Sequence, residues 1–254
     1  MLSSNWQSAI RRRSPPERLS TLASPGGQRS ASIAISIVRS SGLTVTGIDS
    51  LTLRCNLDDD QEYDDHISHL HRSIEVARLF NTNMVRLFSF WKLDQISEEA
   101  WKKIFEKMEL PIRIAEREGI ILGFENVSSG NIGTSQDLEK LFTHFDSSNL
   151  QLIWDPGNAY AAGDRSPSPE GYKRVKDRVV HVHVKDVDFE NGKRVWLPVG
   201  AGKINYHAEL QALKNDGYDG IVALETHFRL PGDDGIQSTR QSYDGLMSII
   251  NELK

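Results

Sequence analysis

Four short apolar segments of the chain carry side chains that can bind a metal ion. The segments are ILGFE, LQLIWD, VVHVHV and GIVALE, and the side chains are Glu125, Asp155, His183 and Glu225. They are 30, 28 and 42 residues apart, which is roughly the length of one strand–helix unit in a parallel barrel. Three carboxylates and one imidazole suit one divalent cation of intermediate hardness, Mn²⁺, Co²⁺, Mg²⁺ or Zn²⁺. The spacing therefore predicts a mononuclear metal site with coordination positions left open to substrate oxygens.

These segments belong to a regular alternation of predicted strands and helices. Strands are predicted at residues 43–48, 84–88, 120–125, 150–155, 179–184 and 220–225. Helices are predicted from residue 28 and at 63–80, 98–118, 135–145, 169–177, 205–216 and 236–252. The strands are nearly continuous apolar runs, which is typical of a parallel sheet buried on both faces. The alternation predicts an α/β fold, a parallel (β/α)8 barrel whose site lies at the carboxyl ends of the strands.

The N-terminal part of the chain does not follow this alternation. Residues 1–27 contain several prolines and glycines and are predicted to form an irregular arm, and residues 28–254 form one barrel domain. Residues 1–42 are too few for two clear strand–helix units, so the first strands are either cryptic or absent from an incomplete barrel. Within the predicted helix 98–118, Pro111 is expected to kink or break the helix.

Composition narrows the class of protein. The net charge is −5, which argues against non-specific binding to nucleic acid or to an anionic membrane. Cys55 is the one cysteine of the sequence, so an internal disulfide is impossible. No apolar run is long enough to span a membrane, and the N-terminus lacks the apolar core of a secretion signal. We expect a cytoplasmic protein with a small-molecule substrate, and a homo-oligomer is compatible with the sequence.

Several motifs together resemble one family. They are Glu125-Asn126, Asp155-Pro-Gly-Asn158, His181-Val-His183-Val-Lys185-Asp186, the Pro198-Val-Gly-Ala-Gly202 loop and Leu224-Glu225. This set resembles the sugar phosphate isomerase/epimerase family of xylose-isomerase-like TIM barrels, within the AP endonuclease family 2 superfamily. The resemblance covers about residues 43–250. It implies that the four ligands bind one divalent metal, with His183 rather than His181 as the imidazole ligand.

The resemblance also implies a reaction. It predicts a metal-dependent sugar isomerase or epimerase of carbohydrate metabolism, acting through a metal-stabilised enediolate on a ketose or related polyol carbonyl compound. Glu125 and Glu225 would exchange protons with the substrate, and Lys185 would contact its oxygens. Asn158 is expected to hydrogen-bond the substrate, although several members have a histidine there, and an amide cannot shuttle a proton.

Other residues are candidates on physical grounds alone. Arg86 lies inside an apolar strand, where a charge must be paired, so it either pairs with a carboxylate or reaches a substrate oxygen. His227 follows Glu225 and is a candidate substrate contact. Gly200 and Gly202 form a G-x-G motif that is a weak signal for a phosphate-binding turn, and a flexible loop is the favoured interpretation.

Three alternative functions remain open. A dehydratase of the inosose or dehydroshikimate type would use the same site and the same enolate, with loss of a β-hydroxyl group. A protein that keeps the barrel but has lost turnover would act by binding. A DNA-repair endonuclease of the same superfamily is disfavoured, because that reaction needs a cluster of metals and more histidines at strand ends.

Overall fold

The computed structural model describes residues 34–38 and 40–253. The predicted irregular arm, residues 1–27, lies outside the described residues, and residues 34–38 and 40 are helical. Among the described residues, no helix combines the length and the apolar character that crossing a membrane requires.

Six parallel strands form one sheet, which curls into a half-barrel. Its order is β1-β2-β3-β4-β5-β8, and a separate antiparallel hairpin consists of β6 and β7. The strands are β1 (Ile48–Thr52), β2 (Met84–Leu87), β3 (Ile121–Glu125), β4 (Leu150–Trp154), β5 (Val179–Val184), β6 (Asp186–Glu190), β7 (Lys193–Leu197) and β8 (Ile221–Leu224). The α/β barrel architecture predicted from the sequence, incomplete at its N-terminal strands, is thus confirmed.

Seven α-helices connect and cover the strands from residue 60 onward. They are α1 (Asp60–Leu79), α2 (Glu98–Glu118), α3 (Ser135–His144), α4 (Pro156–Ala162), α5 (Tyr172–Val175), α6 (Tyr206–Asn215) and α7 (Ile236–Glu252). The central strands β2 and β3 are buried on both faces, whereas the edge strand β1 exposes Asp49 and Leu51. The apolar side chains of Leu122, Phe124, Leu152 and Trp154 are accordingly fully buried. This burial explains why the strands read as apolar runs.

The predicted first strand is wrong in its position. Residues 43–48 were predicted, whereas β1 spans Ile48–Thr52. The strand is fixed by parallel pairing with β2, in which Ile48 is opposite Val85. The hydroxyl of Ser50 also donates to the carbonyl of Arg86, 2.7 Å away. Pairing and polar contacts therefore outweigh the β-branched composition of residues 43–48.

Of the two effects expected of Pro111, a kink or a break of the helix, the break is wrong. Helix α2 runs without interruption from Glu98 to Glu118 with Pro111 inside it. A proline has no N–H to donate to the carbonyl four residues earlier, here that of Lys107. The hydroxyl of Tyr63, on α1, donates to this carbonyl at 2.7 Å. The neighbouring helix therefore supplies the hydrogen bond that the proline removes.

The predicted helix 169–177 is confirmed in position but is irregular. A π-helical turn ends at Gly171, α5 follows, and a 3-10 turn continues it over Lys176–Arg178, whereas Ser168 before it is extended, with φ −129° and ψ 123°. The β6–β7 hairpin was not predicted. Its turn is Asn191-Gly192, with φ of 50° and 76°, and an Asn-Gly pair between alternating residues is a strong hairpin signal.

Candidate metal centre

The four predicted ligands converge at the carboxyl ends of their strands. Glu125 ends β3, Asp155 follows β4, His183 lies in β5 and Glu225 follows β8. Each offers one ligand atom, and these atoms all lie within 4.8 Å of one another. The side chains of Glu125, Asp155 and His183 are almost fully buried, and that of Glu225 is 15% exposed. The cluster thus opens to solvent on the Glu225 side.

Asp155 is held by the backbone around it. It caps the N-terminus of α4, since its Oδ1 accepts the N–H of Asn158 at 2.8 Å. Asn126 clamps the same peptide: its amide donates to the carbonyl of Asp155, and its Oδ1 accepts the N–H of Asp155, both at 2.9 Å. These bonds leave Oδ2 directed at the cluster, where the ammonium of Lys185 lies 2.8 Å away as its ion-pair partner.

Glu125 is paired on both of its oxygens. Arg86 Nη1 donates to Oε2 at 2.8 Å, and His183 Nδ1 lies 3.0 Å from Oε1. The amide of Asn158 donates to the same Oε1 at 3.4 Å. Burial alone would raise the pKa of Glu125, but the nearby His183 and Arg86 outweigh burial and lower the pKa to about 2. Glu125 is therefore held as a carboxylate.

Lys185 connects the carboxylates on the other side of the cluster. Its Nζ lies 2.7 Å from Glu225 Oε2 and 4.0 Å from Glu125 Oε1. Burial would raise the pKa of Glu225, but Lys185 and His183 lower it well below its usual range. Burial would lower the pKa of His183, whereas Glu125 and Glu225 raise it to about 9. Lys185 is itself positioned by Tyr206, whose hydroxyl donates to its carbonyl at 2.7 Å.

The residues fit a single divalent cation. The clearest sign is that one ligand atom from each of the four side chains lies within 4.8 Å of the others, with the fully buried Asp155 among them. Burial raises the pKa of Asp155 despite the nearby Lys185, so the surrounding groups compensate this carboxylate incompletely. Oxygen and imidazole donors at these distances can close around one ion of intermediate hardness, and the imidazole must be neutral to coordinate.

The other predicted site residues lie next to the cluster. Arg86 pairs with Glu125, as described, and its Nε is 3.6 Å from Asp49 Oδ1. The amide of Asn158 also donates to the carbonyl of Asn126 at 2.9 Å, so it is buried behind Glu125. His227 is 40% exposed, and its Nε2 lies 3.6 Å from Glu225 Oε2. A role for these three side chains in substrate binding stays a prediction.

Residues on the β6–β7 hairpin also border the site and were not predicted from the sequence. Trp196, on β7, packs its ring 4.7 Å from that of His227 and lies 5.7 Å from Lys185 Nζ. Arg194 donates to Ser128 Oγ, in the loop after β3, at 2.8 Å. The hairpin therefore forms one wall of the opening above the cluster. Its Asn-Gly turn was the available sequence signal.

The G-x-G motif after β7 is held by Asp186. It is therefore neither a phosphate-binding turn nor the flexible loop favoured from the sequence. The N–H groups of Gly200 and Gly202 both donate to Asp186 Oδ2 at 2.9 Å, and that of Ile204 donates to Oδ1 at 3.2 Å. A Cβ on Gly202 would lie 2.2 Å from Asp186 Oδ1, so only glycine fits there. The motif binds an anion, but the anion is a side chain of the protein itself.

The profile of one protein family, the xylose isomerase-like TIM barrels, matches residues 32–246. The match covers most of the chain and includes all four candidate ligands. The chain belongs to this family. The resemblance inferred from the sequence motifs is thereby confirmed.

Several curated proteins are similar in sequence to part of this chain. The uncharacterized protein MJ1311 of Methanocaldococcus jannaschii is 32% identical over 124 residues, which are 48% of this chain and 42% of that protein. The inosose dehydratase of Clostridium perfringens is 23% identical over 145 residues, 51% of this chain and 48% of that enzyme. The chain thus spans about half the length of the curated relatives it matches.

Solved structures share the fold over most of the chain. A crystal structure of IolI protein with a bound zinc atom has a TM-score of 0.75 at 18% identity, covering 88% of this chain and 82% of that one. A D-tagatose 3-epimerase-like protein has a TM-score of 0.73 at 21% identity, covering 91% and 84%. At these identities the similarity establishes the barrel fold alone.

Proposed function

We propose that this chain is a divalent-metal-dependent enzyme that removes a proton from the carbon next to a carbonyl group in a ketose or related polyol compound. The observation that carries the proposal is the convergence of Glu125, Asp155, His183 and Glu225 within 4.8 Å at the carboxyl end of the sheet. A divalent ion bound there would supply Lewis-acid polarisation of the substrate carbonyl. The isomerase or epimerase class is the first candidate.

The two glutamates are the groups that would move the proton. Both are held ionised, so each can accept a proton, although carboxylates with lowered pKa values are modest bases. Glu225 is the more exposed, at 15% against 3% for Glu125. We assign Glu225 the removal of the proton on the open side, which leaves Glu225 protonated and able to return that proton to the neighbouring carbon. Return to the opposite face would fall to Glu125, which must first take up a proton because it is held ionised.

Lys185 would orient the substrate, while Asn158, buried behind Glu125, would hold that carboxylate. The ammonium of Lys185 lies 2.7 Å from Glu225 Oε2, so a substrate oxygen that reaches Glu225 also reaches this donor. The ring of Trp196, next to Lys185 and His227, would cover the bound substrate and exclude water. A dry site strengthens the electrostatic contacts made by these side chains.

A dehydratase is the second candidate, because the name inosose dehydratase recurs among the curated relatives. The first step would be the same proton removal by a glutamate. The carbanion would then expel the hydroxyl group on the next carbon instead of being reprotonated. Both reactions need the same ligands, so the product separates them.

The test is solvent-proton exchange in the metal-loaded protein. Mn²⁺-loaded protein is incubated in D₂O with D-tagatose, D-fructose, an inosose or 3-dehydroshikimate, and exchange at the α-carbon is followed by NMR. Deuterium incorporation with an epimeric or isomeric product supports the first candidate. A product with the ultraviolet absorbance of an unsaturated ketone, or of the catechol that follows from it, supports the dehydratase.

Glutamine variants then test the assigned roles. Glu125→Gln and Glu225→Gln should each reduce exchange sharply while the far-ultraviolet circular dichroism stays that of the wild type. Metal content is measured for each variant, so that loss of a base is distinguished from loss of the ion. Glu75→Gln, on the exposed face of α1, is the matched control. Absence of exchange in every metal-loaded sample would contradict an enolising enzyme and leave a binding protein.

A further inference from the structure

Arg54 is a cationic side chain at the same end of the sheet as the metal cluster. It follows β1, and its guanidinium carbon lies 5.2 Å from the ring centroid of Phe88 and 4.9 Å from that of Trp91. Its Nη2 donates to Ser129 Oγ, in the loop after β3, at 3.1 Å. The guanidinium is therefore half-buried between two aromatic rings and a loop that borders the site.

Arg54 and Arg86 both contact the ring of Phe88, and Arg86 in turn contacts a candidate metal ligand. The guanidinium carbon of Arg86 lies 4.8 Å from the centroid of the same Phe88 ring, and Arg86 donates to Glu125. Burial and the charge of Arg86 lower the pKa of Arg54, while Glu125 and Glu225 act in the opposite direction. Arg54 thus belongs electrostatically to the site, although it touches none of the carboxylates.

Arg54 has no carboxylate partner within the described residues. Its Nε is buried and makes no hydrogen bond there, and the bond to Ser129 leaves most of its N–H groups without an acceptor. Water can satisfy the N–H groups that are not buried, whereas the buried Nε costs free energy unless an acceptor reaches it. The planar fork of arginine matches the oxygen pair of a carboxylate or a phosphate.

The charge balance of the site also favours an anionic ligand. The three carboxylates of the cluster and Asp49, which lies 3.6 Å from Arg86 Nε, face three cationic side chains, those of Arg54, Arg86 and Lys185. A divalent ion would then leave a surplus of one positive charge in a largely buried site. An anionic ligand offsets that surplus better than a neutral one.

The backbone holds Arg54 in place. The preceding Leu53 is fully buried and has a φ of +61°, a left-handed conformation that a leucine adopts at a cost of roughly 1–2 kcal/mol. The N–H of Phe90 donates to the carbonyl of Leu53 at 2.7 Å, and the N–H of Arg54 donates to that of Leu51 at 2.9 Å. The turn thus directs Arg54 over the rings instead of along the strand.

From this geometry we infer that Arg54 is a specificity-determining residue that binds an anionic substituent of the substrate, a carboxylate or a phosphate, beside the metal site. The inference rests on the proposed function and narrows its substrate to an anionic hydroxyketone. The unused N–H groups over Phe88 and Trp91 would hold the anion, and the carbonyl end of the substrate would reach the cluster.

The test compares ligands that differ in the charged group, using the full chain loaded with Mn²⁺. The carboxylate pair is 3-dehydroshikimate and its methyl ester, and the phosphate pair is D-fructose 6-phosphate and D-fructose. The readout is kcat/KM where turnover occurs and otherwise the dissociation constant from calorimetry. We expect the charged member of one pair to be preferred by about tenfold or more, as charge-assisted bidentate contacts allow. Which pair responds identifies the anion.

Variants separate anion binding from a structural role. Arg54→Gln should abolish the preference, and Arg54→Lys should keep part of it. Arg113→Gln, an exposed arginine of α2, is the charge-matched control and should keep it in full. Ser129→Ala removes the hydrogen bond that Arg54 makes to the loop but leaves the guanidinium, so the preference should persist.

Three results would overturn the inference. In the first, Arg54→Gln keeps the preference for the charged ligand. In the second, Ser129→Ala loses the preference as Arg54→Gln does. In the third, the wild type prefers neither charged ligand over its neutral counterpart. Solvent-proton exchange with a neutral ketone in the same samples would then show that the enzyme proposal stands and only the anion assignment fails. A protein that neither exchanges protons nor binds any of these ligands would end both proposals.

Discussion

The ammonium of Lys185 lies 2.7 Å from Oε2 of Glu225, among the carboxylates that form the candidate metal centre. It also lies 2.8 Å from Asp155 Oδ2, which is directed at the same cluster. The ammonium therefore supplies positive charge where a divalent ion would supply more. Lysine and metal share the same oxygens, and this makes them competitors as well as neighbours.

Replacing Lys185 by methionine should strengthen metal binding. Lys185→Met removes the cation that pairs with Asp155 and Glu225, so the affinity for Mn²⁺ should rise by about tenfold or more. The metal-free protein should become less stable by roughly 3–5 kcal/mol, because breaking a buried ion pair leaves uncompensated carboxylates. Calorimetric titration and urea unfolding measure the two effects.

Lys203→Met is the matched control for this change. Lys203 is 58% exposed and lies 3.6 Å from Asp188 Oδ2, away from the cluster. It should change neither the metal affinity nor the unfolding free energy by more than about 0.5 kcal/mol. Weaker metal binding in Lys185→Met would mean that the ammonium supports the site instead of competing for it.

Asn126 should be needed to hold Asp155 in position for metal binding. Asn126→Ala removes the clamp on the peptide of Asp155 and the bond to the carbonyl of Gly133, so stability should fall by roughly 2–4 kcal/mol. Metal affinity should fall as well, because Asp155 loses its fixed position.

Asn149→Ala is the control, because the amide of Asn149 donates to the carbonyl of Ile120 at the opposite end of the sheet. It should lower stability but leave metal affinity unchanged, and equal metal affinities in the two variants would contradict the clamp.

The convergence of the four side chains was predictable from the sequence because barrel geometry turns a spacing into a position. Strands of a parallel barrel end at one rim, so a polar residue that closes each apolar run must converge with the others. Glu125, Asp155, His183 and Glu225 follow this rule, and their cluster was predictable without coordinates. The alternation of elements, and with it the barrel architecture, was predictable for the same reason.

Side chains that act between elements were not predictable in this way. The contact of Arg54 with Phe88 and Trp91 depends on a left-handed Leu53, and no spacing rule encodes that conformation. The same holds for Asp186, which binds the N–H groups of the G-x-G motif. The contacts of Arg54 and Asp186 depend on the tertiary structure, so a local sequence pattern does not predict them.

Tyr63 and Pro111 should be energetically coupled. Tyr63→Phe removes the hydroxyl that donates to the carbonyl of Lys107, so it should destabilise the protein by about 1–2 kcal/mol. In a Pro111→Ala background the alanine N–H can take over that carbonyl, and the effect of Tyr63→Phe should shrink to less than half. A double-mutant cycle by urea unfolding measures the coupling.

Tyr243→Phe is the control, since within the described part of the chain its hydroxyl makes no hydrogen bond. It should have little effect in either background. Additive effects of Tyr63→Phe and Pro111→Ala would contradict the account of how α2 tolerates its proline.

Glu209 should make stability depend on pH. It is fully buried on α6 and accepts the indole N–H of Trp154 at 2.7 Å. Burial raises its pKa from an ordinary 4.5 to about 7, so between these values the folded protein binds more protons than the unfolded chain. Stability is therefore lost as the pH rises through this window, by about 3 kcal/mol in total.

The Glu209→Gln variant isolates this effect because glutamine accepts the same hydrogen bond but does not ionise. Melting temperatures of variant and wild type should agree near pH 4, and the variant should become progressively more stable than the wild type up to about pH 8. The exposed Glu75→Gln should follow the wild type throughout. Parallel pH profiles for wild type and Glu209→Gln would show that Glu209 is ionised in the folded protein at ordinary pH.

Metal stoichiometry tests the central claim most directly. The purified chain is incubated with Mn²⁺ or Zn²⁺, desalted and analysed for metal per polypeptide, together with Asp155→Asn, which keeps the shape of the capping side chain but removes the charge from Oδ2. The account predicts about one ion per wild-type chain and a loss of affinity of at least about tenfold in the variant. A wild-type chain that retains no metal, or a variant that binds it equally well, would contradict a metal centre formed by Glu125, Asp155, His183 and Glu225.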